Sequence, residues 1–284
     1  RRRQPSAECI AIGELGAGKT AHLALRFGAM TSINHDGTRT EAADILYPYA
    51  VAYRWGAKGA DGGRAYDPEI DRNTALMRSQ LAGIRLAGVD SASKTFRVGE
   101  TTFVRELVLV DVYLKDASAN PAHAAPVAPP WSPVPWHVMA LMEQAVARGM
   151  AAFSEAEAKR LGVPWLEMVR DKVLTAKLVD LIDDFEKRAF VPGPLVGLVT
   201  ADQARARWRA LKAFHAKHGH FLVTNGPYFL KTWTREATEL TVFRDMSYPL
   251  GVGSYNAYAT PRRAFITAVA PNATGLTVAA EMEI

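Results

Sequence analysis

Cysteine is almost absent from this sequence, and long apolar runs are absent altogether. The single cysteine, Cys9, excludes an internal disulfide and any zinc site built from several cysteines. No stretch approaches the roughly 18 apolar residues that a membrane-spanning helix needs. Hydrophobic residues nevertheless make up 49% of the 284 residues, which is enough to bury a core. These features predict a soluble globular protein.

A strong charge of one sign is also missing. The sequence has 34 basic and 29 acidic residues, and the net charge of +5 is spread along the chain. Basic residues cluster at Arg1 to Arg3 and at Arg205, Arg207, Arg209 and Lys212. The second cluster lies on a predicted helix that also carries apolar residues, which favours a solvated helix face over a phosphate-binding surface. We therefore expect no nucleic-acid partner.

One phosphate-binding motif is present, at Gly13 to Thr20. A P-loop of this pattern would bind phosphates through backbone amides and its lysine, and Val108 to Asp111 would supply the apolar strand with a magnesium-binding acid. A P-loop must be followed by a helix, however, whereas His22 to Phe27 alternates as a strand does. Residues 84–115 also predict consecutive strands rather than βαβ units. The sequence favours a glycine-rich hairpin, with a P-loop NTPase as the alternative.

Aromatic residues concentrate in the segment 40–56. Thr40 is a suitable helix cap and Asp44 lies in the first turn, so the segment predicts a helix. It carries Tyr47, Tyr49 and Tyr53, which either pack in a core or line a binding cleft. A second helix is predicted from Asp67 to Ile84, followed by three strands up to Lys115.

The middle of the chain changes in composition twice. Residues 116–136 contain six prolines together with Trp131 and Trp136, which predicts an extended segment that docks on the protein or on a ligand. Residues 136–219 predict helices, with capping boxes at Ser154 and Thr200, stops at Gly162 and Gly219, and an apolar stripe from Leu174 to Phe185. His215, His218 and His220 are close in sequence, but no acid accompanies them, so surface histidines are favoured over a metal site.

The stretch from Phe221 to Tyr248 organises the rest of the chain. It predicts a strand, a turn at Asn225 to Pro227 in which Gly226 takes positive φ, and a strand pair beginning at Tyr228. A loop rich in glycine and tyrosine, residues 247–258, follows and is typical of binding surfaces. Arg263 to Ala270 predicts a closing strand. No arrangement typical of a catalytic triad or of a cysteine nucleophile is found, so we expect no enzyme.

Two stretches resemble a known family. Leu25-Arg26, His35-Asp36-Gly37-Thr38 and Thr40 to Asp44 form the first, and Gly226-Pro227-Tyr228 forms the second. In this order they resemble the extracellular solute-binding proteins of family 5, the oligopeptide- and dipeptide-binding class that feeds ABC importers. The resemblance spans residues 22–258, and the segment 116–219 does not align. Members of that family are longer and have a second lobe, so we expect the sequence to be part of a longer chain.

The resemblance implies an α+β fold, with a mixed-sheet lobe like that of periplasmic binding proteins. Residues 1–135 and 220–284 would form the lobe, and 136–219 a helical insertion. It also implies a periplasmic location, ABC permease subunits as partners, a peptide-like or other small organic solute, and no cofactor or metal. Because aromatic residues gather at turns and segment ends in this sequence, the expected ligand-binding residues are Tyr47, Tyr49, Tyr53, Trp131, Trp136, Asn225, Tyr228, Trp233 and Tyr255. An alternative keeps the fold without transport, as an adaptor subunit of a larger complex.

Overall fold

The computed structural model describes residues 2–3, 9–10, 23–59, 65–115, 132–243, 263–273 and 275–282. Helices and sheets are both present, so the class is α+β, as expected. The chain divides into two compact units, residues 1–248 and residues 249–284. Each unit is described by itself below.

The main sheet of the first unit has three antiparallel strands in the order β3-β5-β4. They are β3 (Leu23–Met30), β4 (Leu81–Val98) and β5 (Thr101–Leu114), and two short strands, β1 (Arg2–Arg3) and β2 (Cys9–Ile10), pair separately. Residues 84–115 were predicted to hold three strands, which is wrong. Bulges, one of them between Asp90 and Lys94, keep β4 continuous. The turn into β5 falls at Gly99, whose φ is +60°.

Two helices lie against the sheet, namely α1 (Ala42–Gly56) and α2 (Pro68–Gln80). Thr40 does not cap α1, contrary to the prediction. The N-cap is Glu41, whose backbone N–H donates to Asp44 Oδ2 at 2.8 Å. The second helix was predicted from Asp67 to Ile84. Asp67 is its N-cap, but α2 ends four residues before Ile84 because the chain enters β4 at Leu81. Buried residues of both helices and of the sheet form one apolar core.

The predicted helical region is confirmed as α3 (Trp136–Ala147), α4 (Glu155–Leu161), α5 (Lys172–Lys187) and α6 (Ala201–His218). A short 3₁₀ turn, Gly193–Leu195, precedes α6. The predicted apolar stripe of α5 is buried in a second core, which also takes residues from α1. Ser154 and Thr200 cap their helices. Gly162 and Gly219 end theirs in the left-handed conformation.

A hairpin completes the described part of the first unit. It consists of β6 (Tyr228–Trp233) and β7 (Thr238–Val242). Residues 221–224 were predicted as a strand, but they have no regular secondary structure. In the second unit β8 (Ala264–Asn272) pairs with β9 (Gly275–Met282).

Candidate functional site

The two stretches that carry the family resemblance meet in the structure. The backbone N–H of His35 donates to the Thr224 carbonyl at 2.9 Å, and the Thr224 N–H donates to His35 Nδ1 at 3.3 Å. His35 Nε2 lies 2.9 Å from the Gly226 carbonyl. Because Nδ1 accepts a hydrogen bond, the proton of the neutral ring is on Nε2, where it can donate to Gly226. Burial lowers the pKa of His35, which favours this neutral form.

An acid and a histidine are buried beside this contact. The side chains of Asp36 and His137 are both fully buried, with 2.7 Å between Oδ2 and Nε2. The other carboxylate oxygen of Asp36 accepts from the backbone N–H and the hydroxyl of Thr38, at 3.0 and 2.6 Å. Burial alone would raise the pKa of Asp36, but the hydrogen bonds from His137 and Thr38 outweigh burial and lower it. Asp36 is therefore held as a carboxylate.

A buried arginine connects α6 to the same region. The side chain of Arg207 is 6% exposed and donates to Asp44 Oδ2 at 3.0 Å, to Glu41 Oε2 at 3.2 Å and to Thr38 Oγ1 at 3.2 Å. The other oxygen of Asp44 accepts from the Trp136 backbone N–H at 2.7 Å. We call residues 35–44 and 224–226, together with His137 and Arg207, the junction.

Three of the predicted ligand residues are packed inside the protein. Tyr47 and Trp136 lie in the helical core and Tyr49 in the sheet core, and none is more than 4% exposed. The hydroxyl of Tyr47 donates to Glu143, and burial together with that carboxylate raises its pKa well above the ordinary value. Core packing, rather than a cleft wall, therefore describes these three residues. Their spacing along the chain could not distinguish the two roles.

Four further predicted ligand residues, Tyr53, Asn225, Tyr228 and Trp233, are more accessible. Tyr53 donates to the Arg78 carbonyl at 3.1 Å, and the Asn225 amide donates to Ser32 Oγ at 3.2 Å. Tyr228 and Trp233 are exposed at opposite ends of β6. Trp131 and Tyr255 lie outside the described residues.

The P-loop alternative finds little support in its surroundings. Residues 11–22 lie outside the described part of the chain, but the residues after them form β3, where a P-loop requires a helix. Asp111 was the magnesium-binding candidate. It lies within β5, paired on both sides, and accepts from Arg26 at 2.7 Å and from Arg85 at 2.9 Å. Both arginines compete with any cation for its carboxylate.

An open groove lies between the start of α5, the end of α6 and β6, with a volume of about 410 Å³. Its lining includes the cationic and aromatic side chains of Arg170, Lys172, His218, His220, Lys231 and Trp233. We call this space the groove. Among the predicted ligand residues that the structure describes, Trp233 lines the groove. The guanidinium of Arg170 lies 5.0 Å from the centre of the Trp233 ring.

One of the two histidines that line the groove is fixed in one tautomer. His220 accepts from the Leu222 N–H through Nδ1 at 3.2 Å, and its Nε2 lies 3.0 Å from the Leu230 carbonyl. It is 4% exposed, so the prediction of a surface histidine is wrong for this residue. Burial lowers the pKa values of both His218 and His220. Among the described residues, no cluster of three or more metal-binding side chains occurs.

Sequence reasoning missed the cationic residues of the groove. Arg170 and Lys172 lie at the start of α5 and Lys231 lies on β6, and no motif connects the two segments. No known protein family matches this chain, and no curated protein matches it either. In the described part of the chain, no helix combines the length and the apolar character that crossing a membrane requires.

Proposed function

We propose that the chain is a lobe of a periplasmic solute-binding protein of the periplasmic-binding-protein-like fold, which captures a small organic solute for an ABC permease. One observation supports this above the others. The two stretches that resemble family 5 are hydrogen-bonded to each other, although 191 residues separate His35 from Gly226. Two chance matches would have no reason to be neighbours in space.

The nature of the contact adds to this support. The turn that contains His35 and Gly37 binds the turn before β6 through three hydrogen bonds, and Arg207 and His137 bind the same segment from the helices. Buried and paired groups of this kind fix a backbone arrangement rather than perform chemistry. A framework that positions a binding surface is what a solute-binding lobe requires.

The groove supplies a surface of suitable size and chemistry for a small solute. It combines an aromatic ring with several donors, the mixture that ligand sites use to bind apolar and polar groups together. Delivery to a membrane permease would follow capture of the solute, by closure of a second lobe that the family resemblance implies.

Gene deletion tests the transport role. A strain that lacks the gene should lose uptake of at least one labelled peptide, amino acid or organic acid, and a plasmid copy should restore it. The purified protein in its longest natural form should show a thermal shift with the same solute. Unchanged uptake across these classes, together with co-purification in a stable membrane or redox complex, would replace transport by the adaptor alternative.

A further inference from the structure

We propose that the groove binds an organic monoanion, a carboxylate attached to a flat apolar body. This inference names the solute class for the proposed function and depends on that function for its physiological meaning. The site itself, however, is defined by contacts that can be tested without transport. The argument rests on charge pairing, on the aromatic wall and on the available volume.

Charge pairing leaves one cation of the groove without an acid. Arg170 Nε lies 3.4 Å from Glu167, and Lys231 Nζ lies 2.7 Å from Glu239. Lys172, in contrast, is 3.4 Å from the carbonyl oxygens of Val169 and Gly219, and it has no carboxylate partner among the described residues. Its ammonium group therefore has donor capacity left for a ligand.

The effect of this charge appears in neighbouring groups. Burial is the main cause of the lowered pKa of His215, and the positive charge of Lys172 lowers it further. The same charge contributes to the lowered pKa of His220, in which burial is again the first cause. An anion bound at Lys172 would relieve this repulsion. None of the groove residues is acidic, so nothing in the lining opposes an anion.

The wall of the groove favours an organic anion over an inorganic one. Trp233 is 41% exposed and is contacted by the Arg170 guanidinium, which restricts the ring while leaving apolar surface for a ligand. A volume of about 410 Å³ is within the range of sites for small organic molecules. One unpaired cation matches one negative charge, whereas a phosphate monoester carries about −1.5 to −2 charges near pH 7.

The experiment compares two probes of nearly the same shape, of which one carries a negative charge and the other is neutral. N-acetylphenylalanine and its amide have nearly the same shape, but only the first carries a carboxylate. Calorimetry at pH 7.5 and low salt should show binding of the acid and at least about tenfold weaker binding of the amide. Lys172→Met should weaken binding of the acid about five- to tenfold. Lys177→Met, which removes an exposed lysine of the same helix outside the groove, should leave affinity unchanged.

Several outcomes would overturn the inference. Equal affinity for acid and amide in the unaltered protein would show that the charge is not recognised, independently of any variant. If the Lys172→Met variant binds the acid as tightly as the unaltered protein does, the groove is not the site. Tighter binding of inorganic phosphate than of the acid would exclude a monoanion as the ligand. Lys172-dependent binding without any uptake defect in the deletion strain would leave the site standing and reject transport. An uptake defect without binding of the acid would support transport and reject the groove as the site.

Discussion

The junction and the groove both contain several charged side chains, yet they use them differently. In the junction Asp36 and Arg207 are buried, and each makes contacts with two or more neighbours. In the groove Lys172 is exposed and makes two long contacts to backbone carbonyls. Charged groups that are buried and fully paired fix a conformation, whereas an exposed charge without an opposite partner is available to a ligand.

The largest difference between the two regions should appear when a charge is removed. Arg207→Met leaves the carboxylate of Asp44 buried without its cation, and we expect the free energy of unfolding to fall by about 3–5 kcal/mol. Urea denaturation followed by circular dichroism measures this. Arg205→Met on the same helix breaks only an exposed pair with Asp202 and should change stability by less than about 0.5 kcal/mol. Equal effects of the two substitutions would show that the buried, paired arginine is no more important for stability than the exposed one.

The neutral state of His35 predicts a specific pH dependence. Its folded pKa is below the ordinary value of 6.5, so its contribution to stability is complete above that pH. The contribution is lost as pH falls from 6.5 towards the lower folded pKa, because protonation of Nδ1 breaks the bond from Thr224. We expect His35→Ala to cost about 1–2 kcal/mol at pH 7.5 and less at pH 5. Denaturation curves at both pH values measure the change, and a cost that grows on acidification would contradict the prediction.

The two turns of the junction should respond differently to a side chain. Gly37 has φ of +82°, and an alanine there should cost about 1–2 kcal/mol because left-handed backbone disfavours a Cβ. Gly226 was predicted to have positive φ, but its φ is not in that region, so the expected strain is absent. A Cβ there would lie 3.4 Å from Thr224 Oγ1, an ordinary contact, and Gly226→Ala should change stability by less than about 0.5 kcal/mol. Thermal melts of the two variants side by side test this. A larger fall in melting temperature for Gly226→Ala than for Gly37→Ala would show that the turn at Gly226, rather than the turn at Gly37, requires a glycine.

Local patterns in the sequence predicted much of the fold. Some features depend only on neighbours within about four residues, and these could be predicted from the sequence. They are the hydroxyl caps at Ser154 and Thr200, the glycine stops and the apolar stripe of α5. The length of β4 could not be predicted in this way, because bulges that keep a long strand paired depend on its partner strand. The division of α1 between two cores, with Tyr47 in one and Tyr49 in the other, depends on tertiary packing that periodicity does not encode.

The candidate site was predictable only in part for the same reason. Asn225 and His35 belong to motifs, so the sequence identified both turns, although not the hydrogen bonds between them. Trp233 was predicted to contact a ligand because aromatics gather at turns. Lys172 had no such signal, since an exposed lysine at a helix start is common. Its unpaired state depends on which acids the fold brings near it.

The smallest effect on stability is expected in the groove. Lys172→Met and Trp233→Leu remove exposed groups, and each should change the free energy of unfolding by less than about 0.5 kcal/mol. Trp233 loses its contact with Arg170, but a cation–π pair at an exposed site contributes only about 0.5–1 kcal/mol, and the leucine retains part of the apolar contact. Urea titrations alongside the Arg207→Met variant provide the scale. A loss above roughly 1 kcal/mol for either groove variant would show that the groove supports the fold, and the separation between a structural junction and a binding groove would then have to be abandoned.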